Sequence, residues 1–360
     1  MHVDLDYFYA QCEENRKPDI RGKPVVVCVY SGRTEESGVV STSNYLARKY
    51  GVKAGIPIAR AKKLLESANS VFLPMDRPYY EQVSDSIMEI LRGQGDAFEK
   101  VGIDEAYIEI STRANNKFEQ TEDIAAEVKR QILADEQITC SIGIAPNKLV
   151  AKIASDERKP DGLTVVRPED VNSFLTQLPA SRMPGVGKKV EDKLDQMHVR
   201  TIAELSTLSP TSLVENFGKS LGGYLFRAAR GEDDEPVKER EQPTQLSRIA
   251  TLKRDSSDLP EILPLLSKLA NAVTAKLNEK GMTCRSVAII AILNDLSIHT
   301  KSKTLEQPTA DEKTIMKATH DLMKEFLDSI PVAMVRRTGV KLSTLSKPTG
   351  QTDIANFLKV

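Results

Sequence analysis

The sequence predicts an α+β protein of several domains, and three observations lead to this prediction. The chain has 360 residues, of which 40% are hydrophobic and 28% charged, so two to four domains can each bury a core. The order strand, helix, strand, strand, helix, strand is indicated twice, once near each end of the chain. Between these two parts lies a segment in which every periodic stretch is helical.

Two adjacent acids mark the strand around which the first part is organised. Asp104 and Glu105 open the apolar stretch Val101–Glu109, and a buried carboxylate is costly unless a cation compensates it. A second acidic strand, at the start of the chain, carries Asp4. Two neighbouring acidic strands predict a shared Mg²⁺ site, held by a few carboxylates and by substrate phosphates. The alternative for Asp104 and Glu105 is an ordinary hairpin turn in water.

Strand geometry sets a condition on this site. Neighbouring residues of a regular strand face opposite ways, so Asp104 and Glu105 can share a site only if the strand is bulged or the turn begins there. Asp6, the second acid of the first strand, has a simpler interpretation as the N-cap of a helix over Tyr7–Arg16.

The remaining elements of the first part follow from apolar runs, helical periodicity and turn residues. Strands are predicted at 24–30, 38–43 and 71–74, from Ala97 to a turn near Ile103, at 106–110 and at 138–145. Helices are predicted at 44–50, 57–65, 77–91, 119–133 and 147–158. Together with the first strand, the helices at 77–91 and 119–133 give the β-α-β-β-α-β order of a ferredoxin-like sheet. This order places Asp4 and Asp104 on neighbouring central strands.

The middle part begins near Val165 and is predicted to be all helical, with helices at 168–178, 186–197, 202–208, 210–217 and 220–230. It contains the sequence PGVG at 184–187, where the helix 186–197 begins, with Gly185, Gly187 and Lys188 as the candidate DNA contacts. Such glycines leave backbone N–H groups open toward an anion at a helix N-terminus, as in a helix-hairpin-helix that clamps DNA phosphates. A plain Pro-Gly turn is the alternative. The charged, proline-containing segment 231–243 has the composition of a linker.

The third part carries a net charge of +5 over residues 244–347, whereas residues 1–164 carry −4 and residues 165–243 carry −2. The elements are predicted as strand 246–253, helix 259–279, strands 285–293 and 296–304, helix 311–327 and strand 332–342. Basic side chains alternate along two of these strands, which predicts a sheet face that lies against phosphates; the alternative is a solvated face. These residues are His299, Lys301 and Lys303 on one strand, and Arg336, Arg337 and Lys341 on the other.

Composition excludes several other classes of protein. The four cysteines are far apart and mostly lie inside apolar runs, as expected for core thiols in a reducing cytoplasm. The four histidines are scattered, which argues against a zinc site. The longest apolar run, Val287–Leu293, is too short to cross a bilayer, so no membrane association is expected.

Five stretches occur in an order and spacing that resemble the Y-family DNA polymerases, in the archaeal DNA polymerase IV (DinB-like) branch. They are VDLDYFYAQCEE, VVSTSNYLARKYGVKAGIP, GIDEAYIEIS, SIGIAPNKLVAKIASDERKPDG and PGVGKKVEDKL. The resemblance covers essentially the whole chain. It implies a palm at 1–10 and 77–164, fingers at 11–76, a helical thumb at 165–230, a linker at 231–243, a little finger at 244–342 and a tail at 343–360. The chain has fewer residues before Asp4 than the family usually has, which we expect to affect the edge of the first strand rather than the chemistry.

The resemblance also implies roles for individual residues. The metal ligands are Asp4, Asp104 and Glu105, with the Leu5 carbonyl, around two Mg²⁺ ions for which Mn²⁺ is an alternative. Tyr9 is the steric gate against a ribose 2′-OH. The triphosphate contacts are Tyr45, Arg48 and Lys159, with the backbone N–H groups around Tyr7 and Phe8. The small residues near the nascent base pair are Val29, Ser41 and Thr42. The implied activity is template-directed addition of dNMP to a primer 3′-OH across DNA lesions, with low fidelity and no proofreading.

The end of the chain resembles the peptide that docks into a sliding clamp (PCNA-like). Gln351, Ile354, Phe357 and Leu358 fit its pattern of a glutamine, an aliphatic residue and an aromatic residue at fixed spacing. The implied partners are primer–template DNA, dNTP and the clamp, bound by a monomer in the cytoplasm. Two rival functions remain open: a nucleotidyl cyclase, which shares paired acids on a ferredoxin-like sheet, and a DNA-bound scaffold that recruits the clamp without chemistry.

Overall fold

The computed structural model describes residues 1–239, 243–330 and 332–348. These residues form two compact units. The first unit contains the described residues up to 239 except 30–39 and 57–59, and the second contains those two segments and the described residues from 243 onward. Among the described residues, no helix is long and apolar enough to cross a membrane.

The elements before residue 239 agree closely with the predicted order. They are β1 (His2–Leu5), α1 (Phe8–Arg16), β2 (Val25–Tyr30), β3 (Gly38–Ser43), α2 (Tyr45–Lys49), α3 (Ile58–Leu64), β4 (Val71–Pro74), α4 (Arg77–Gln94), β5 (Ala97–Lys100), β6 (Glu105–Glu109), α5 (Thr121–Glu136), β7 (Cys140–Ile144), α6 (Lys148–Ser155), β8 (Leu163–Val165), α7 (Val171–Thr176), α8 (Lys188–Gln196), α9 (Ile202–Thr207) and α10 (Pro210–Ala228). Single 3₁₀ turns precede α5 and α7.

The first sheet has five strands in the order β5-β6-β1-β7-β8. Its first four strands, with helices α4 and α5 in the crossovers, have the ferredoxin-like order that the sequence predicts, and β1 pairs antiparallel with both β6 and β7. Strand β8 adds a parallel edge to β7 and was not predicted, because three residues are too few to show a period. Buried side chains of α4, including Tyr80, Ile87 and Leu91, join the strands in one apolar core.

Helix α6 packs unusually close to this sheet. Asn147 caps its N-terminus through a side-chain bond to the Val150 N–H group. At Gly143 in β7, a Cβ atom would lie only 2.0 Å from the Ala151 carbonyl oxygen, so only glycine allows the helix and the strand to approach this closely. The close packing brings the residues of α6, and the loop that follows it, near the acidic ends of β1 and β6.

The middle part is helical, as predicted, after β8. Helix α10 combines the two helices expected at 210–217 and 220–230, and Gly218 breaks it with a φ of 80° and a ψ of 163°. This conformation favours glycine, so the predicted boundary is visible as a kink. The first predicted helix of this part is shorter than expected and comprises a 3₁₀ turn followed by α7.

The second unit contains a four-stranded antiparallel sheet and two helices. Its elements are β9 (Gln245–Ser256), α11 (Leu259–Glu279), β10 (Thr283–Leu293), β11 (Ile298–Thr309), α12 (Glu312–Ser329) and β12 (Val335–Ser346). The strand order is β11-β10-β12-β9, which differs from the ferredoxin-like order although the elements follow the same β-α-β-β-α-β sequence. Both helices contribute to an apolar core with one face of the sheet. The core residues lie between Leu246 and Leu345.

Candidate active site

The three predicted acidic ligands lie on two adjacent strands. Asp4 in β1 is the direct Cα partner of Glu105 in β6. Asp104 lies in the turn just before β6, and its carbonyl accepts a hydrogen bond of 2.8 Å from the Leu5 N–H group. Asp104 therefore lies in the bend that leads into β6, outside the regular strand, where the alternation of side chains need not hold.

A lysine from the loop after α6 lies against the first acid. Lys159 Nζ is 2.8 Å from Asp4 Oδ1 and 2.7 Å from Asp156 Oδ1. Burial raises the pKa of Asp4 to about 6, although the neighbouring Lys159 opposes this shift. Burial acts to lower the pKa of Lys159, but attraction to Asp4 and Asp156 outweighs burial and raises it. The site thus holds a charged amine at a position predicted to bind a triphosphate.

The second acid of the pair is held by two residues that sequence reasoning missed. Glu105 Oε2 forms an ion pair with Lys152 of α6 and lies 3.3 Å from Nε2 of the fully buried His2, without good hydrogen-bond geometry to that ring. These neighbours, His2 first, lower the pKa of Glu105 to about 2 against the effect of burial. Strand periodicity could have indicated His2, because it lies two residues before Asp4 on the same face of β1.

The oxygen ligands at this site are of the kind that binds a hard divalent cation, although two of the carboxylates form ion pairs with lysines. Burial, and then repulsion from Glu105, raise the pKa of Asp104, so its carboxylate also lacks compensating positive charge. Three carboxylates and a backbone carbonyl are the oxygen ligands that Mg²⁺ prefers. In the described part of the chain, however, no three acidic, histidine or cysteine side chains converge as they stand into a metal-ligand cluster. Lys152 and Lys159 take the place of external cations at Glu105 and Asp4.

The expected N-cap role of Asp6 is wrong. Helix α1 begins after Tyr7, which has the left-handed conformation (φ 36°, ψ 41°), and no side chain caps this end. The Asp6 carboxylate instead lies against β7 and the loop at 161. It accepts hydrogen bonds from Ser141 Oγ at 2.7 Å, Thr139 Oγ1 at 3.0 Å and the Asp161 N–H group at 2.8 Å. The competing donors on β7 and its neighbouring loop satisfy this acid better than the helix end would.

The predicted triphosphate contacts of the first unit form one group of side chains. Tyr7 and Tyr45 meet edge to face with ring centroids 5.3 Å apart, and the Arg48 guanidinium lies 4.7 Å from the centre of the Tyr45 ring. Arg48 Nε also donates to the Ser43 carbonyl at 3.0 Å. Phe8 is buried in the core, so only its backbone is available for the role that the sequence suggested.

Tyr9 lies next to this group with its ring held in place. It stacks on Tyr80 of α4 with centroids 4.5 Å apart and an interplanar angle of 15°. Of the three small residues expected at the nascent base pair, Val29 is 40% exposed, and Ser41 and Thr42 are half-buried. Ser41 Oγ lies 3.7 Å from Met75 Sδ, so Met75 belongs to the same surface, although nothing in its sequence context indicated it.

The glycine turn before α8 has the expected geometry. Gly185 has a φ of 86°, and Gly187 stands at the N-cap of α8 without a side chain that could block its N-terminal N–H groups. The Tyr224 hydroxyl group donates to the Pro184 carbonyl at 2.9 Å and fixes the turn on α10. Lys188 is exposed and pairs with Glu191 and Asp192 within its own helix.

The basic residues of the second unit do not share one face, which corrects the expectation of a single basic sheet surface. His299 packs against Phe326 of α12 with ring centroids 5.6 Å apart, and Lys301 pairs with Glu325 of the same helix at 3.0 Å. These residues and Lys303 are therefore on the helical side of β11. The cross-strand partners of Arg337 and Lys341 are Ile292 and Ala288, which alternate with core residues of β10 and lie on the open face.

Arg336 lies at a register irregularity at the start of β12, with its guanidinium 3.9 Å from Asp255. The strand alternation is interrupted there, so period alone could not place this side chain. The clamp-binding residues Gln351, Ile354, Phe357 and Leu358 lie outside the described residues.

Comparison with known protein families identifies all three parts of the chain. The impB/mucB/samB family matches residues 3–156, the C-terminal domain of that family matches residues 243–355, and a family described as the DNA polymerase-iota thumb domain matches residues 181–233. The match of the thumb family includes the glycine turn at Gly185, which agrees with a helix-hairpin-helix there.

Relatives of known name are similar over nearly the whole chain. A DNA polymerase IV of Nitrosopumilus maritimus is 45% identical over 357 residues, covering 99% of this chain and 98% of the relative. One of Saccharolobus solfataricus is 38% identical over 358 residues, covering 99% of each.

Solved structures give the same result. The Y-family DNA polymerase chimera Dbh-Dpo4(243-245)-Dbh has a TM-score of 0.90 at 37% identity and covers 95% of this chain and 98% of its own. The insertion ternary complex of Dbh DNA polymerase has a TM-score of 0.68 at 38% identity, with coverage of 95% and 97%. The chain therefore belongs to the impB/mucB/samB family, that is, to the Y-family DNA polymerases, in the DNA polymerase IV (DinB-like) branch.

Proposed function

We propose that this protein is a template-directed translesion DNA polymerase that transfers dNMP from dNTP to a primer 3′-OH. The observation that carries the proposal is the pairing of Asp4 with Glu105 across β1 and β6, with Asp104 in the adjoining turn and Lys159 at hydrogen-bond distance from Asp4. Nucleotidyl transfer requires acids that can hold divalent cations and an amine that can bind the triphosphate, because the reaction stabilises charge on phosphate oxygens rather than forming a covalent enzyme intermediate.

The acids are proposed to hold two Mg²⁺ ions, or Mn²⁺ as an alternative, together with the Leu5 carbonyl. When bound, such ions activate the primer hydroxyl and neutralise charge on the reacting phosphates. Asp104 and Asp4 are the residues with the strongest need for added positive charge, since burial raises the pKa of both. Glu105 keeps its charge at all working pH values because its pKa lies at about 2.

Tyr45, Arg48 and Lys159 are proposed to bind the triphosphate, with the N–H groups around Tyr7 and Phe8. The Arg48 guanidinium is planar and already fixed on the Tyr45 ring, so little side-chain entropy is lost when it donates to phosphate. Lys159 would exchange its contact with Asp4 for one with the triphosphate. Asp4 and Asp156 raise the pKa of the amine in the free site, and phosphate oxygens would supply negative charge in place of Asp4 after the exchange.

Tyr9 is proposed to exclude ribonucleotides, and the surface around it to tolerate damaged templates. Stacking on Tyr80 holds the Tyr9 ring in one orientation, so a 2′-OH that meets the ring cannot push it aside cheaply. The small side chains Val29, Ser41 and Thr42 leave room at the nascent pair. A pocket that checks base-pair shape weakly implies low fidelity, and no separate proofreading unit is proposed.

The glycine turn before α8 and the open face of the sheet in the second unit are proposed to contact the DNA backbone. Gly185, Gly187 and Lys188 would bind phosphates through backbone N–H groups and one amine, while Arg337 and Lys341 offer charge on the open face. The other predicted DNA contacts are not on the open face and could bind phosphates only by extending their side chains: His299, Lys301, Lys303 and Arg336. The tail residues Gln351, Ile354, Phe357 and Leu358 are proposed to bind a sliding clamp, and the protein is proposed to act as a monomer.

Primer extension on a defined template tests this function. Purified protein with Mg²⁺ should extend a primer on undamaged DNA and past an abasic site, and Asp104→Asn should abolish both. Extension by neither form would leave the rival of a DNA-bound scaffold, and conversion of NTP to a cyclic nucleotide without template would support the cyclase. Misincorporation on undamaged template at the rate of a proofreading replicase would contradict the proposed low fidelity.

A further inference from the structure

The strongest unexplained feature of the first unit is the buried carboxylate of Asp6. Asp6 is 1% exposed, and among the described residues no lysine, arginine or histidine pairs with it. Its hydrogen bonds come from two hydroxyl groups and one backbone N–H group. The carboxylate accepts three hydrogen bonds, which a smaller side chain or an amide could not all replace, so Asp6 fixes the positions of its three donors.

Two of the three donors lead to one short loop at residues 161–162. The Asp161 N–H group donates directly to Asp6 Oδ2 at 2.8 Å. Ser141 Oγ donates to Asp6 Oδ1 at 2.7 Å and accepts from the Gly162 N–H group at 3.2 Å, which extends the contact by one residue. Thr139 donates from the start of β7 at 3.0 Å. Asp6 therefore ties the backbone of the loop at 161–162 to β1 and β7 at once.

A second residue holds the same loop from the opposite side. Lys129 of α5 contacts Asp161 Oδ1 and the Cys140 carbonyl, each at 2.6 Å. At Gly162 the backbone packs closely on Arg158, since a Cβ atom would lie 2.3 Å from the Arg158 carbonyl oxygen. The backbone that follows Lys159 is thus fixed by direct contacts on several sides.

We infer that Asp6 is a positioning residue for Lys159, and that it acts through the Asp161 N–H group and Ser141 rather than by touching substrate. The inference rests on the proposed role of Lys159 at the triphosphate. Lys159 lies two residues before Asp161, and its amine must reach the Asp4 site from that backbone anchor. A lysine side chain has four rotatable bonds, so a mobile anchor would spread the amine over many positions and weaken any contact it makes.

A double-mutant cycle on dNTP binding tests this inference. Single-turnover extension gives the apparent dNTP dissociation constant for Asp6→Asn, Lys159→Ala and the double variant. We expect Asp6→Asn, which keeps the shape but replaces an accepting oxygen by a donor, to weaken dNTP binding about 10-fold, the size of one misplaced charged hydrogen bond. In the Lys159→Ala background the same change should weaken binding by less than about twofold, because the residue through which it acts is gone.

Two further variants separate positioning from general stability. Ser141→Ala removes one donor and the link to Gly162 while leaving the Asp6 charge, and it should show a smaller loss of the same Lys159-dependent kind. Glu13→Gln changes another fully buried acid, which pairs with Arg16 and Lys17 and does not touch the loop. We expect it to lower the melting temperature. Any effect on dNTP binding should be the same factor with and without Lys159.

The outcomes distinguish this inference from the proposed function. If Lys159→Ala binds dNTP normally, the triphosphate role of Lys159 is wrong, and this inference falls with it. If Lys159→Ala weakens dNTP binding, and Asp6→Asn weakens it by the same factor with and without Lys159, the proposed function stands and the positioning role of Asp6 is wrong. If Asp6→Asn does not fold, the same comparison is made with Ser141→Ala.

Discussion

Lys159 Nζ and Asp4 Oδ1 lie 2.8 Å apart, and this contact joins the two halves of the proposed chemistry. Together with the pairing of Lys152 to Glu105, it means that two of the three acids are already neutralised by amines of the chain itself. In the proposed function, a nucleotide with divalent cations would replace these interactions, since its phosphates would accept Lys159 and its cations would take the carboxylates.

Lys159→Ala should weaken dNTP binding by about 10- to 100-fold, the range expected for loss of a charge-assisted hydrogen bond to phosphate. Apparent dNTP dissociation constants from single-turnover extension measure this. The matched control is Lys276→Ala, which removes a surface ion pair of 2.9 Å to Glu279 within α11 of the second unit. Equal losses in both variants would contradict a specific role for Lys159.

Asp104→Asn should lower the rate of nucleotide addition by at least about 1,000-fold, because a carboxylate proposed to hold the reacting cations is lost. The same change should raise the melting temperature measured in EDTA. Burial and repulsion from Glu105 raise the pKa of Asp104, so the charge that the variant removes is one that destabilises the folded state. Loss of activity together with a fall in melting temperature would indicate damage to the fold instead.

Tyr9→Ala should reduce discrimination against ribonucleotides by at least about 100-fold, since a missing ring removes the clash with the 2′-OH. The ratio of kcat/KM for dNTP and rNTP is the measurement. Tyr9→Phe keeps the ring and its stacking on Tyr80, so it should retain selectivity. A Tyr9→Phe variant that admits rNTP as readily as Tyr9→Ala would assign the effect to the hydroxyl group.

The buried cysteines should make the folded state sensitive to alkali. Burial raises the pKa of Cys12 and Cys140 from 9.0 to about 12 and that of Cys284 to about 11. Thiols that resist ionisation in the folded state favour folding fully below pH 9, and this contribution is lost as the pH rises from 9 toward 11–12. Urea midpoints at pH 8, 9 and 10 should therefore fall, and the fall should be shallower for Cys140→Ala.

The same thiols should be protected from reagents at pH 8. We expect native protein to react with a thiol reagent at least about 100-fold more slowly than protein unfolded in urea, because reaction requires an accessible thiolate. Rapid reaction of Cys12 or Cys140 in native protein would show that these side chains are not buried in solution.

Removal of residues 351–360 should leave extension in the absence of a clamp unchanged and abolish its stimulation by a sliding clamp. Phe357→Ala should have the same effect, because the aromatic side chain is the proposed anchor in an apolar pocket. Lys359→Ala is the control within the same peptide and should retain stimulation. Full stimulation of the truncated chain would disprove the assignment.

Much of this fold follows from periodicity and turn residues. The ferredoxin-like sheet and its two helices were predicted in the right order, and the adjacency of Asp4 and Asp104 followed from that order. Boundaries moved by a few residues, and β8 was missed because a three-residue strand has no period to detect.

Long-range contacts at the site could not be predicted from local patterns. Asp6 has a plausible local partner in the start of α1, and only the folded sheet brings Thr139 and Ser141 close enough to compete. No local feature distinguishes Lys152 from other helical lysines, and it contacts Glu105 only because α6 packs on the sheet. The faces of β11 were also ambiguous, because alternation reveals that His299 and Lys301 share a side without revealing which side carries α12.

All residues of the apolar core beneath the sheet β9–β12 lie within 246–345, so this segment can be exchanged as one piece. The hydrophobic side chains of this core pack against one another. Gly231, Asp233 and Lys238 of the charged stretch contact the first unit, so a graft would be placed after Glu239. Chimeric proteins assembled at this junction from homologues should consequently be expressible, because each part keeps its own apolar core.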